Sequence, residues 1–246
     1  MEILQFDFMR NALLVGLLVS IACGMIGTYV VVKRIVFISG GISHTAYGGI
    51  GLGYYLGFNP MLGATLFTIT AALGMGLVQQ RSSQRQDTVI GVMWAVGMAL
   101  GIMFVKLPPG YTADLMSYLF GSILTVPQRD ILFILLLDLL IIAAVFRYFE
   151  EFKAIAFDEE FARVSGLKVE FFNILLLILV ALTVVVMIRA VGIILVIALL
   201  TIPPAIAGEF SRGLKGMMGL SVAAFFFKRS TISAKTSWRL KTCSRT

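Results

Sequence analysis

Long apolar runs, separated by charged residues, Pro or Gly, dominate this chain. A helix needs about 20 apolar residues to cross a hydrocarbon core of about 30 Å. Seven runs approach this length, at 12–32, 37–58, 61–78, 88–105, 131–146, 171–188 and 191–207. An eighth run, 216–227, reaches only about 18 Å as a helix and cannot span alone. The pattern predicts an all-α integral membrane protein, a compact polytopic bundle of about seven or eight transmembrane helices.

The composition points the same way. Hydrophobic residues make up 59% of the chain and charged residues 13%, whereas about a quarter of the residues in soluble domains are charged. Residues 1–227 are therefore interpreted as one transmembrane domain. The two cysteines, Cys23 and Cys243, form neither a disulfide framework nor a CxxC motif.

The net charge of +7 is concentrated at one end of the chain. Six of the 20 lysines and arginines lie in the segment 228–246, namely Lys228, Arg229, Lys235, Arg239, Lys241 and Arg245. The remaining residues are nearly neutral in sum. No basic face of the kind that binds nucleic acid is expected.

The basic residues between the apolar runs predict the orientation, because cytoplasmic loops retain positive charge. If the N-terminus faces outward, the cytoplasmic loops hold ten basic residues: Lys33, Arg34, Arg81, Arg85, Arg147, Lys153, Arg163, Lys168, Arg212 and Lys215. The outer side then holds four: Arg10, Lys106, Arg129 and Arg189. This orientation places the longest polar loop, 147–170, in the cytoplasm.

Small residues recur at every fourth position in the first three runs. They are Gly16, Ser20, Gly24 and Thr28, then Gly41, Thr45, Gly49, Gly53 and Gly57, then Ala64, Thr68, Ala72 and Gly76. Such stripes let helix backbones approach closely in lipid. They predict tight helix packing and require no ligand.

The loop 147–170 contains the signals of a short helix. Asp158 is a suitable N-cap, Glu159 and Glu160 suit the positive end of a helix, and Gly166 suits a left-handed C-cap. Phe161, Ala162, Val164 and Leu167 supply apolar surface with which this helix could dock. The local pattern alone does not distinguish a partner-binding helix from an ordinary structured loop.

Five segments in order resemble the permease family of bacterial and archaeal ABC importers for zinc, manganese and iron(II). They are 14–27 with Ala22-Cys23-Gly24, 43–46 with Ser43-His44-Thr45-Ala46, 115–124, 157–166 and 191–205. The resemblance covers most of the first 226 residues. It implies a multi-pass protein of the prokaryotic inner membrane.

The resemblance also implies partners. Members of the family are homodimers whose cytoplasmic helices each sit in a groove of an ATP-binding subunit, and an extracytoplasmic protein delivers the metal. Here the coupling residues are Asp158, Glu160, Phe161, Ala162 and Gly166; Phe161 departs from the family pattern Glu-Ala-Ala-xxx-Gly at its second place. The chain contains no GxxxxGK[ST] phosphate loop, so it is predicted to be a transport subunit whose ATP hydrolysis resides in a separate polypeptide.

His44 is the only histidine and the candidate ligand for the transported ion. Many family members carry an aspartate four residues earlier, where this chain has Gly40. Ser39 and Ser43 are weaker oxygen donors that could replace it, and Ser43 is a candidate path residue. Structural packing of a lone histidine is the alternative.

Three further residues, Asp138, Thr201 and Pro203, are candidates for the path. Asp138 lies within an apolar run, where a carboxylate must face protein, water or a cation. Pro203 and Pro204 free the carbonyls about four residues back, near Leu199 and Leu200. Either a cation, Thr201 or a neighbouring helix could satisfy these carbonyls.

The transported ion is the ligand of this chain, and no permanently bound cofactor is expected. Zinc is the first expectation, followed by manganese and iron. The 12 methionines are scattered in a way that indicates packing rather than a copper site.

The segment 228–246 departs from the resemblance, because the family continues there with its last apolar helix. A truncation or frameshift-like replacement is one explanation, and it would leave an inactive permease. A genuine basic tail that contacts lipid is the other. A stand-alone secondary carrier for a small cation stays as an alternative function, although a proline break in one half only disfavours it.

Overall fold

The structure is a computed structural model that describes residues 7–81, 86–107, 116–123 and 126–226. The predicted basic segment 228–246 lies outside these residues. The described chain is almost entirely helical, with these helices: α1 (Asp7–Val32), α2 (Val36–Leu56), α3 (Pro60–Arg81), α4 (Gln86–Lys106), α5 (Met116–Phe120), α6 (Gln128–Arg147), α7 (Phe149–Phe157), α8 (Glu159–Val164), α9 (Val169–Phe210) and α10 (Leu214–Phe226).

Four of the described helices, α1, α3, α4 and α9, are long and apolar enough to cross a membrane. The helices α6 and α7 meet this test of length and composition only when they are taken together, and they are bent by 72° where they meet. The helix α2 is as long as these but rich in Gly, Ser and Tyr, and most of its residues are buried in the bundle. The all-α membrane fold predicted from the apolar runs is confirmed.

The helix α9 folds back on itself at Gly192. Near its start, Asn173 accepts a hydrogen bond from Lys33 at 2.6 Å; further along, the Leu199 carbonyl accepts one from Cys23 at 2.8 Å. If α9 were straight, Asn173 and Leu199 would lie about 39 Å apart. Their hydrogen-bond partners on α1, Lys33 and Cys23, are separated by only about 15 Å along that helix, so α9 cannot be straight. Gly192 has non-helical angles of φ 77° and ψ 162°, so α9 is two antiparallel arms, as the runs 171–188 and 191–207 predict.

The reversal is held at its tip by α5 and α6. Gly121 and Gly192 meet backbone to backbone, and both have positive φ. Beside them Arg189 Nε donates to Asp130 Oδ2 at 2.8 Å, and the Arg189 guanidinium lies 5.1 Å from the centre of the Tyr118 ring. This cluster lies at the end of the bundle opposite Lys33.

Small residues bring α2 into backbone contact with its neighbours. Gly49 lies against Gly63 of α3, and Gly51 lies against Gly101 of α4. A Cβ at either position of α2 would collide with backbone atoms of the facing helix. The tight packing predicted for the small-residue stripe of the second run is confirmed at Gly49, whereas Gly51 lies outside that stripe.

The loop 147–170 is more structured than its polarity indicates. The helix α7, which the residue pattern does not predict, precedes the predicted short helix. Phe152 and Ile155 of α7 are buried, and the Phe152 ring packs edge-on against Tyr29 and Phe172. This aromatic cluster fixes α7 to the end of α1 and the start of α9.

Candidate functional site

The short helix α8 is closed at both ends as the sequence predicts. The Asp158 carboxylate accepts a hydrogen bond from the Phe161 amide at 2.9 Å, which is an N-cap worth about 1 kcal/mol. At the other end Gly166 has φ +85°. The Leu167 amide reaches back to the Ala162 carbonyl at 3.1 Å, and the Gly166 amide to Arg163 at 3.1 Å, as in a Schellman motif.

The two faces of α8 have different surroundings. Ala162 is buried against the protein, whereas Phe161 is 67% exposed and Val164 is 88% exposed. Phe157, which ends α7 just before Asp158, is exposed as well. Glu160 is also exposed. Of the predicted coupling residues, Ala162 is the buried anchor, and Phe161 joins Phe157 and Val164 in an outward apolar surface that nothing in the described chain covers.

His44 lies in the middle of α2 and is stacked on Trp94 of α4. The ring centres are 4.0 Å apart and the planes differ by 14°. The Nδ1 atom is buried and has no hydrogen-bond partner. A metal bonds to imidazole in the ring plane, so stacking on Trp94 fixes the direction from which an ion would approach Nδ1 and does not itself occupy that position. No feature of the residue pattern predicts that Trp94 is the neighbour of His44.

The residues beside His44 bond to their own helix. The Ser43 hydroxyl donates to the Ser39 carbonyl and the Ser39 hydroxyl to Val36, each at 2.7 Å. Gly40, which stands where many family members have aspartate, faces Ile197 of α9 and Trp94. A packed apolar surface thus takes the place of a carboxylate at this position.

Asp138 lies elsewhere in the bundle. It is 1% exposed, and neither carboxylate oxygen has a hydrogen-bond partner in the described structure. The helix α6 packs mainly on α1 and α9, whereas α2 packs on α3, α4 and α9. The structure does not bring Asp138 together with His44.

The neighbouring helix α1 contacts both carbonyls that the two prolines free, and it donates a hydrogen bond to one of them. The Cys23 thiol of α1 donates to the Leu199 carbonyl at 2.8 Å, and the Leu200 carbonyl lies against Gly27 of α1. The Thr201 hydroxyl donates instead to Ile197 at 2.8 Å. Pro203 and Pro204 are buried, and the helix continues through them.

The antiparallel arms of α9 also separate Thr201 from His44. Gly40 faces Ile197, and the second arm of α9 runs opposite to α2. Thr201, one turn past Ile197, therefore lies on the far side of Gly40 from His44. Within the described residues no group of three or more His, Cys, Asp or Glu side chains is placed so that it could hold a metal ion.

A cavity of about 560 Å³ opens between α1, the α6–α7 bend and α10. Its lining is mostly apolar, with Glu150 and Lys215 as charged members: Met25, Val145, Phe146, Phe149, Glu150, Lys215, Met218, Gly219 and Val222. None of the predicted path residues lines this cavity.

Comparison with known protein families matches residues 5–242 to the ABC 3 transport family. The chain belongs to this family. Two relatives illustrate the similarity. An uncharacterised membrane protein of Synechocystis is 52% identical over 89% of this chain and 78% of the relative. The manganese transport system membrane protein MntC of Listeria monocytogenes is 34% identical over 89% of this chain and 78% of its own length.

A solved structure has the same fold. The chain superimposes on PsaBC from Streptococcus pneumoniae, solved in complex with a Fab, with a TM-score of 0.81 and 31% sequence identity. The match covers 91% of this chain and 81% of that one. The resemblance inferred from the five segments is confirmed, and this ABC 3 chain is a multi-pass permease of the membrane, a transport subunit and not an enzyme.

Proposed function

We propose that this permease forms the translocation path of an ABC importer for a divalent transition-metal ion and couples it, through α8, to a separate ATPase subunit. The main support for this proposal is the way in which α8 is held and exposed. It is capped at both ends, anchored by Ala162 and open on the side of Phe161 and Val164. An exposed aromatic side chain on a fixed short helix suits the centre of a protein interface.

Manganese is the cargo that we now place first, ahead of zinc and iron. Support comes from the names of relatives, among them MntC of Listeria monocytogenes and the manganese import system permease protein ScaB of Streptococcus gordonii, which is 31% identical. The residues at the middle of α2 supply one imidazole, at His44, and one hydroxyl oxygen, at Ser43. Oxygen donors suit manganese better than they suit zinc.

A homodimer and an extracytoplasmic metal-binding protein complete the proposed assembly. One copy does not gather His44, Asp138 and Thr201 around a common point, which supports a path formed between two copies. The predicted orientation places α8 in the cytoplasm and the Arg189–Asp130 cluster on the outer side, where a delivering protein would dock.

Uptake in cells producing the chain tests this proposal. Manganese uptake should exceed zinc and iron uptake, should stop when arsenate depletes ATP, and should survive a protonophore as long as ATP is maintained. A secondary carrier would show the reverse pattern, with uptake lost to the protonophore and retained without ATP. Faster zinc than manganese uptake would restore zinc as the cargo.

A further inference from the structure

Lys33, the residue after α1, is a buried cation. Its side chain is 6% exposed, although a lysine at the end of a membrane helix ordinarily extends into water. Its Nζ atom donates to Glu159 Oε1 at 2.6 Å, to Asn173 Oδ1 at 2.6 Å and to the Ile155 carbonyl at 3.3 Å. These three acceptors use all three donors of the ammonium group.

The three acceptors lie on three different elements. Ile155 belongs to α7, Glu159 is the first residue of α8, and Asn173 lies in the first turns of α9. Lys33 is therefore a single side chain through which the end of α1 touches both loop helices and α9.

Among the ion pairs that α8 makes within the described residues, the contact with Glu159 is the most shielded. The other of these ion pairs joins Arg163 to Glu170 at 2.9 Å, with side chains 63% and 49% exposed. Such an exposed ion pair contributes little to the stability of the fold. Burial lowers the pKa of Lys33, while the hydrogen bond and charge of Glu159 oppose this effect. Glu159 thus helps to keep the buried ammonium charged.

The turn after Lys33 connects it tightly to α2. Arg34 adopts φ 59°, a left-handed conformation that is uncommon for a side chain of this size. The Arg34 amide donates to Val31 at 3.1 Å and the Ile35 amide to Val30 at 3.0 Å. Val36 then begins α2, the helix that carries His44. Because this turn is short and hydrogen-bonded, a displacement of Lys33 would move the start of α2 as well.

We propose that Lys33 is a positioning residue that transmits movement of α8, through Glu159, to the α1–α2 turn and so to α2, the helix that carries His44. This inference rests on the proposed function, because it requires that an ATPase moves α8. It adds a defined mechanical link that the family resemblance does not supply.

The test uses the complex purified with its ATPase and reconstituted in vesicles, comparing Lys33→Met, Glu159→Gln and the double variant. We expect each complex to retain its ATPase and to hydrolyse ATP, while Lys33→Met lowers the manganese transported per ATP by about tenfold. Glu159→Gln should lower it in the same direction. The double variant should be no worse than Lys33→Met, because both substitutions remove the same contact.

Lys153→Met is the matched control. Lys153 also pairs with a glutamate in this loop, Glu150 at 3.2 Å, but both side chains are exposed. Its transport per ATP should equal that of the unaltered chain. Unchanged transport per ATP in Lys33→Met would overturn the inference; if that variant does not assemble, unchanged transport in Glu159→Gln, which alters a half-exposed residue, would overturn it. Failure of the proposed function would look different from failure of this inference, because the unaltered chain itself would then show no ATP-driven uptake.

Discussion

Replacement of Phe161 by alanine is expected to weaken the association between this permease and its ATPase by about 30-fold or more. Phe161 is 67% exposed on α8, so its removal leaves no cavity within the chain itself. A buried aromatic at the centre of an interface contributes at least about 2 kcal/mol to binding, which corresponds to about 30-fold. The measurement is the affinity of the purified ATPase for the permease in detergent or nanodiscs.

Phe37→Ala is the control for this prediction. Phe37 is as exposed as Phe161 and lies near the start of α2, at the same end of the bundle, but outside α8. Its replacement should leave both the affinity and the uptake unchanged. Equal affinities for the Phe161 and Phe37 variants would remove α8 as the docking helix.

Replacement of Gly192 by alanine is expected to destabilise the fold severely. The angles φ 77° and ψ 162° lie in a region that only glycine populates readily. An added Cβ would also collide with the Leu119 carbonyl oxygen and the Gly121 amide nitrogen. Backbone strain and overpacking together give a loss of about 3–5 kcal/mol, visible as a lower apparent melting temperature and poor recovery from the membrane.

Gly57→Ala is the control for Gly192→Ala, because it introduces the strain of a positive φ without a collision of the added Cβ. Gly57 also has positive φ, 72°, but nothing lies within 4 Å of the place where its Cβ would be. The loss there should be only about 1–2 kcal/mol. Similar melting temperatures for the two variants would mean that the reversal of α9 does not depend on the contact between Gly192 and Gly121.

The sequence predicts well the features that depend on local chemistry. The apolar runs locate the helices, since each crossing must satisfy its backbone internally. Asp158 and Gly166 locate the ends of α8, because capping involves only neighbouring residues. The boundary between the sixth and seventh runs falls within a few residues of Gly192, although only the backbone angles identify that residue as the break.

Features that depend on contacts between distant segments could not be predicted. Lys33 has the sequence signature of an ordinary lysine at a helix end, and its burial depends on α7, α8 and α9 meeting around it. Trp94 follows His44 by about 50 residues, and nothing in the pattern pairs them. Cys23 belongs to no cysteine motif, yet its thiol donates to the carbonyl that Pro203 leaves free.

The central claim is that α8 lies on the cytoplasmic side of the membrane. The most direct test is to determine on which side Val164 lies. Val164→Cys would be made with Cys243→Ser, since Cys23 is fully buried and should not react. Val164 itself is 88% exposed. The account predicts that a membrane-impermeant maleimide modifies this cysteine only in inside-out vesicles, and that bound ATPase protects it. Modification in intact cells would place α8 outside, beyond the reach of any cytoplasmic ATPase, and would contradict the account.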